Sequence, residues 1–571
     1  MINRQAIYHK PLSNYAFALD ESTLIIRLRT ARNDVDCVYL FFGDTAYQGN
    51  PVKCSFIEMK VVRQDKYFDY YEATIKNAYR RTVYYFNIED KDESLIYYSD
   101  VFSDKVSDMR NDLYKFPYIR REDIVDTPEW LKDAVIYNIF PDSFISFDKS
   151  NKKEISHHGL QIKSNHGGNL REIISNLDYI QDLGCNTIYL NPIFTGGEYH
   201  KYDVINYKEI DPLLGTNETF KELVEKSHAR NMKVIIDGVF NHSGWNFFAF
   251  LDVLKNQENS KYKDWYYELN FPVKRPTEKE KQPTYACFAY EKRMPKLNTS
   301  NPEVIDYFMD VCRYWIKEYN IDGWRLDVAD EVNLDFWRKF KETAVSINPE
   351  IVLIGEVWQD ATYFLDGSMF NSTMNYDFLK HAKAFFTGSI DAYDFDARVT
   401  NMLIRYRENL NYGQLNLLDS HDVPRFLSVI NGNKDIYKLS IIFLLTNVGA
   451  PSIFYGDEQS FTGVLESEYR RPMNYLNDIY MFNFFKEIIT LRNQYISLRR
   501  GSFTTLRASK NEGLYIYKRK FKDESIIIVL NNSNQSITMD DYLLRNRILS
   551  KSGLDYKQLS SYGYVIFKES R

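Results

Sequence analysis

Cysteine is scarce: Cys37, Cys54, Cys185, Cys287 and Cys312 are the five in 571 residues, widely spread and without a CxxC pair. An odd, scattered set excludes a disulfide framework and a cysteine zinc site, and predicts buried thiols in a reducing, cytoplasmic compartment. A surplus of charge is missing as well. Lys+Arg 72 against Asp+Glu 78 leaves a net charge of −6, so nothing drives polyphosphate binding and no nucleic-acid partner is expected. Long apolar runs are also absent. Residues 1–19 carry Arg4, His9 and Lys10 and lack the apolar stretch of a signal peptide. The run 439–448 is too short and too mixed for the ~20 residues a membrane helix requires, so no membrane partner is expected. With 44% hydrophobic and 26% charged residues the chain is neither disordered nor collagen-like.

Aromatic residues are what the chain has in excess: 45 Tyr, 38 Phe and 7 Trp make 16%. Rings suit the apolar faces of sugars, although an AT-rich coding bias would inflate the same residues. The length predicts about three to four domain-sized units. Residues 1–125 read as a β-sandwich, with short strand-like runs at 23–29, 37–42, 67–75 and 82–88 divided by charged turns. From about 126 to 498 apolar runs alternate with amphipathic helices. The runs lie at 134–140, 187–190, 234–237, 323–327, 351–356, 415–419 and 451–456, with an eighth candidate at Met374-Asn375-Tyr376. Buried strands alternating with helices mean a parallel sheet, and eight of them predict an α/β fold of the (β/α)8 TIM-barrel type. A helical stripe runs from Leu170 to Leu183 and stops at Gly184, and another covers 302–319. The polar stretch 243–300 reads as an insertion after the third strand. Residues 499–571 return to strands and form a C-terminal antiparallel β-domain.

In a parallel barrel the chemistry gathers where strands end. Strand three ends in Asp237, Asn241 and His242; strand four carries Arg325 and Asp327; strand five ends at Glu356; strand seven finishes with Asp419, His421 and Asp422. Arg325 and Asp327 are two apart and share a face. One such carboxylate is more often a helix cap or an ion-pair partner, and a lone histidine is usually structural. Carboxylates from several strand ends converging with an arginine and histidines are harder to explain that way.

The blocks Asp237-Gly238-Val239-Phe240-Asn241-His242, Gly323-Trp324-Arg325-Leu326-Asp327, Gly355-Glu356-Val357-Trp358 and Leu418-Asp419-Ser420-His421-Asp422 resemble, in order, four short regions of the α-amylase superfamily. Met294-Pro295-Lys296-Leu297-Asn298 resembles a fifth region in the form found in cyclomaltodextrinases, neopullulanases and maltogenic amylases, and the N-terminal stretch looks like that subgroup's extra sandwich. The resemblance implies a retaining glycoside hydrolase with Asp327 as nucleophile, Glu356 as general acid/base and Asp422 as the third carboxylate. It implies substrate contacts at His200, Tyr202, Asp237, His242, Arg325 and His421, with Tyr202 as a ring under the cleaved sugar, and Trp358 and Glu331 on the acceptor side. The implied substrates are cyclodextrins, pullulan or maltooligosaccharides, cleaved at α-1,4 bonds with some transfer to sugar acceptors, by a homodimer. An oligo-1,6-glucosidase is the alternative within this chemistry, and a non-catalytic glucan-binding protein the alternative outside it.

No metal-ligating set and no required cofactor are expected. Some relatives bind calcium near the first barrel loop. Here that stretch reads Phe147-Asp148-Lys149-Ser150-Asn151, and Gly167-Gly168 is followed by Asn169. Lost carboxylates and added lysines weaken a hard-cation site.

Overall fold

The computed structural model describes residues 1–76, 80–277 and 282–570. Eight parallel strands close into a barrel: β1 (Ile136–Ile139), β2 (Thr187–Leu190), β3 (Lys233–Gly238), β4 (Gly323–Leu326), β5 (Val352–Gly355), β6 (Ser372–Asn375), β7 (Leu415–Asn416) and β8 (Ala450–Phe454). β1 pairs with both β2 and β8, which closes the ring. Every residue of β1, β2, β4 and β5 is buried; strands covered on both faces read as continuous apolar runs for that reason. Ile136, Tyr189, Ile235, Val352, Ile354, Met374, Leu415 and Ala450 pack together inside the ring, each aliphatic chain contributing about 1.5–3 kcal/mol.

The expected helix over residues 170–183 is two helices, α1 (Leu170–Ser175) and α2 (Leu177–Leu183), parted at Asn176. Asn169 caps α1 by accepting from the amides of Arg171 and Glu172. Gly184 ends α2 at φ +101°, a left-handed conformation that favours glycine. α3 (Pro302–Tyr319) begins with Pro302 behind an Asn301 cap and stops at Asn320 with φ +53°. Its buried face includes Val304, Phe308, Val311, Cys312 and Trp315. Among its described residues the insertion carries one short α-helix, Phe248–Asn256, and 3-10 turns; residues 278–281 lie outside the described residues.

The chain divides into two compact units. One holds the barrel, Pro128–Phe386 and Gly413–Arg500; the other gathers Met1–Thr127, Thr387–Tyr412 and Gly501–Arg571. In the second unit the N-terminal region forms two antiparallel sheets around a core containing Leu24, Ile26, Leu40, Tyr71, Tyr84 and Phe86. The C-terminal region is a six-stranded antiparallel sheet. α4 (Ala392–Arg405), in the excursion after β6, belongs to this unit: its Asp396 accepts from Tyr515 at 2.8 Å, and its cap Asp391 accepts from the Asn511 amide at 2.7 Å. Among the described residues no helix is long and apolar enough to cross a membrane.

Candidate active site

The pairing of β3 with β4 sets Asp237 directly beside Arg325. Arg325 is fully buried, and its Nη1 donates to both oxygens of Asp237 (2.9 and 3.1 Å) and to Asp327 Oδ1 (2.7 Å). Its Nη2 stands 2.9 Å from Glu356 Oε1 but is not aligned for a hydrogen bond. One guanidinium therefore gathers three carboxyls from the ends of three neighbouring strands, the use for which its fixed fork of donors is suited.

Glu356 follows Gly355, where a Cβ would fall 2.5 Å from the Phe370 ring; only glycine lets β5 end this close to Phe370. Glu356 Oε2 accepts from the Val328 amide at 2.9 Å. Val328 has φ +46°, a left-handed conformation rare for a β-branched residue and costing of order 1–3 kcal/mol. The strain turns that amide toward the acid. Oε1 also accepts from Trp358 Nε1 (3.3 Å) and Tyr376 Oη (3.4 Å), whose rings stack 3.7 Å apart.

Asp422 closes the opposite side, with His421 Nε2 3.1 Å and Arg470 Nη2 3.5 Å away. The buried His421 ring lies parallel to Tyr202, shares a hydrogen bond with its hydroxyl, and has Asn191 Nδ2 3.0 Å from its Nδ1. His242 Nε2 faces the Tyr202 carbonyl at 3.2 Å, and its ring stacks on Phe288. His200 accepts from the Tyr202 amide at 3.1 Å. Glu331 pairs with Lys296 at 2.8 Å on the rim. These groups line a cavity of about 620 Å³ that includes Tyr202, His242, Asp327, Glu356, Trp358 and Asp422, within the range of small-molecule clefts.

Burial drives the electrostatics. It lowers His200 and His242 to about 3 and His421 well below the usual imidazole value, so all three rings are neutral hydrogen-bonding groups near pH 7. Burial also pushes the carboxyls of Asp237 and Asp327 upward, Arg325 opposing and the charge on Glu356 adding to the push. Asp422 is raised as well, first by burial and then by Glu356. Its side chain is 29% exposed, so water in the cleft damps that shift. Burial thus raises Asp237, Asp327 and Asp422 while the cations Arg325 and, for Asp422, Arg470 oppose it.

The sequence-derived residues Asp237, His242, Arg325, Asp327, Glu356, His421 and Asp422 meet at one mouth, with Tyr202, Trp358 and Glu331 around it. His200 reaches the mouth and props Tyr202. Two strand-end residues face elsewhere. Asp419 accepts from the Phe426 amide at 2.7 Å, beside the buried Arg425–Asp457 pair. Asn241 Oδ1 accepts from the Lys296 ammonium. Tyr189, whose hydroxyl donates to Asp237 at 2.9 Å, and Asn191, Phe288, Tyr376 and Arg470 are not among the site residues read from the sequence. Asn191 and Tyr376 stand one residue past β2 and β6, where their position was a usable signal; Arg470, sixteen residues beyond β8, gave none.

The donors around the first loop fit a hard cation poorly. Asn169 spends its oxygen capping α1, Asp148 accepts from the Ser146 hydroxyl, and Lys149 extends toward Glu172 at 3.9 Å.

Comparison with known proteins matches residues 138–480 to the alpha amylase catalytic domain and residues 1–120 to the alpha amylase N-terminal ig-like domain. The chain is 40% identical over 574 aligned residues to a cyclomaltodextrinase of Thermoanaerobacter pseudethanolicus, covering 99% of this chain and 98% of that one. It is 38% identical to neopullulanase 2 of Thermoactinomyces vulgaris, covering 94% and 92%. A solved cyclomaltodextrinase structure superposes with a TM-score of 0.91 at 33% identity over the whole of both chains.

Proposed function

The chain belongs to the alpha-amylase family of glycoside hydrolases, and from that premise we propose that it cleaves α-1,4-glucosidic bonds of cyclodextrins, pullulan or maltooligosaccharides with retention of configuration. The observation that carries this reading is the single guanidinium of Arg325 touching Asp237, Asp327 and Glu356 beneath one cleft. Double displacement needs a nucleophile and an acid about 5–5.5 Å apart, and a shared cation draws these two carboxyls together.

Asp327 attacks the anomeric carbon while Glu356 gives its proton to the departing glycosidic oxygen, leaving a β-linked glucosyl–Asp327 ester. Glu356 then takes a proton from water, the water oxygen attacks the same carbon, and Asp327 departs as carboxylate. Two inversions restore the α-anomer. The misaligned contact between Arg325 Nη2 and Glu356 leaves the acid free to turn toward the substrate. Asp422 and the neutral His242 and His421 hold sugar hydroxyls, Tyr202 lies under the ring, and Trp358 and Glu331 face the acceptor. Transfer to a sugar instead of water uses the same ester.

No cofactor takes part. A reducing cytoplasm is proposed from the five free cysteines, of which Cys185 and Cys312 are buried as expected while Cys37, Cys54 and Cys287 are only half-buried. A homodimer is proposed because Phe56, Val61 and Tyr67 of the N-terminal region are exposed while Tyr70 and Tyr71 are buried in it, and exposed rings favour interfaces; light scattering at one-chain mass would remove that part. The test of function is product analysis from cyclodextrin, pullulan and starch, with Asp327→Asn and Glu356→Gln as parallel samples. Each variant should lose several orders of magnitude in rate while remaining folded. Near-wild-type hydrolysis by either overturns the assignment of roles.

A further inference from the structure

Nine histidines are spread over the chain, yet two of them adjoin at a hairpin tip that is not part of the cleft lining. Strands Lys153–His157 and Leu160–Ser164 pair antiparallel with His157 opposite Leu160, so His158 and Gly159 are the central residues of the turn. Their φ values of +48° and +78° are those of a two-residue primed turn. Its first central position usually takes Asn or Asp, and histidine is among the few other side chains that enter the left-handed region with some frequency. Neighbours on a regular strand point to opposite faces. Here the turn swings the second imidazole back, and the two ring centroids stand 4.2 Å apart.

A third group comes from strand Val204–Ile210. Glu209 Oε1 lies 3.1 Å from His157 Nε2, while Oε2 accepts from Asn206 Nδ2 at 3.1 Å. One ligand atom from each of His157, His158 and Glu209 falls within 4.8 Å of the others, and this is the one such group among the described residues. Metal–ligand bonds of about 2.0–2.2 Å place tetrahedral ligands roughly 3.3 Å apart, close to the spacing His157 and Glu209 already hold. His158 is exposed and free to rotate into the remaining position.

We propose that His157, His158 and Glu209 bind a divalent transition-metal ion of the zinc class. Two imidazoles and one carboxylate suit zinc, nickel or copper, whereas calcium and magnesium require more oxygens than this tip supplies. Three protein ligands leave a fourth position for water. Asn206 fixes the carboxylate from outside, as metal-bound carboxylates generally require. The ion staples the hairpin to the strand that follows Tyr202 and Asp203, so it stabilises the fold without entering the hydrolytic chemistry.

The experiment is equilibrium dialysis of the chelator-stripped full-length chain against zinc, with metal quantified per chain and melting followed in parallel. One zinc per chain and a saturable rise in melting temperature are expected, with no rise from calcium. His158→Asn keeps a residue the turn prefers, so it should fold normally and lose stoichiometric zinc; Glu209→Gln should do the same. Asn206→Ala should weaken binding about 10-fold or more. Asp327→Asn should still take up one zinc. Failure of the wild-type chain to bind one equivalent overturns the proposal, as does unchanged uptake by a folded His157→Gln/His158→Asn variant.

Discussion

Replacing Arg325 with methionine keeps an apolar stem in a fully buried position but deletes the cation that touches Asp237, Asp327 and Glu356. Burial already pushes the Asp327 carboxyl upward, and Arg325 is the counterweight. An adjacent guanidinium lowers an aspartate by about 1–3 pH units, worth about 1.4–4 kcal/mol. Removing it should carry the acid limb of kcat/KM upward by a similar interval, since that limb reports ionisation in the free enzyme. On the acid side of the wild-type limb the loss from protonation alone is about 10- to 1,000-fold, and it shrinks as pH rises past the variant's limb. Stability should respond too, because carboxyls left without a buried partner cost about 3–5 kcal/mol. The sign is fixed: folded-state carboxyls raised above their unfolded values near 4 keep their stability below that pH and lose it as pH rises through the raised folded values. The variant's deficit should therefore be larger at pH 8 than at pH 5. The assay is a pH–rate profile on an activated aryl maltoside, with urea melts at both pH values. Arg325→Lys, which keeps the charge but not the fork, should fall between. An Arg325→Met enzyme with the wild-type acid limb and rate would refute the reasoning.

On the opposite side of the barrel from the mouth, Asp322 accepts from His228 (2.7 Å), Lys233 (2.8 Å) and the Val234 amide (2.9 Å). Burial works against its ionisation, but these donors win and hold the carboxyl below its ordinary value. Asp322→Asn should cost about 1–3 kcal/mol at pH 7, toward the lower end because Lys233 is 40% exposed. That contribution is present above the ordinary carboxylate value and lost as pH falls through the depressed folded value, so urea midpoints of variant and wild type should draw together with increasing acidity while kcat at neutral pH is unaffected. Prolonged dialysis against a chelator should leave hydrolysis intact; activity lost and restored specifically by calcium would show a hard-cation site in the loop around Asp148.

Much of the barrel was legible because its strands are buried on both faces and its helices carry apolar stripes. The two periodicities separate cleanly at residues 187–190 and 302–319. β6 was visible only as three residues, since Ser372 and Thr373 interrupt the apolar pattern and are satisfied by Gly413 and Gln414 once the strands meet. The break at Asn176 carries no strong signal: an asparagine fits a helix interior poorly but not prohibitively. Membership of α4 in the β-rich unit depends on long-range bonds such as Asp396 to Tyr515, which no local pattern encodes. In the site, residues placed by strand pairing, such as Asp237 beside Arg325, followed from period and position. Those placed by loops did not. Arg470 and Phe288 reach the mouth through irregular backbone, and Asp419 turns away because the next helix supplies an amide at Phe426 that its carboxylate accepts.

The central claim is a covalent ester on Asp327 that Glu356 helps to form and to break. Glu356→Gln incubated with α-maltosyl fluoride isolates it, because fluoride leaves without a proton while the second step still lacks its base. Intact mass spectrometry should show one maltosyl unit added per chain, and peptide mapping should place it on Asp327; the Asp327→Asn/Glu356→Gln double variant should remain unmodified. Fluoride release without an adduct, or an adduct on another carboxylate, would contradict the account.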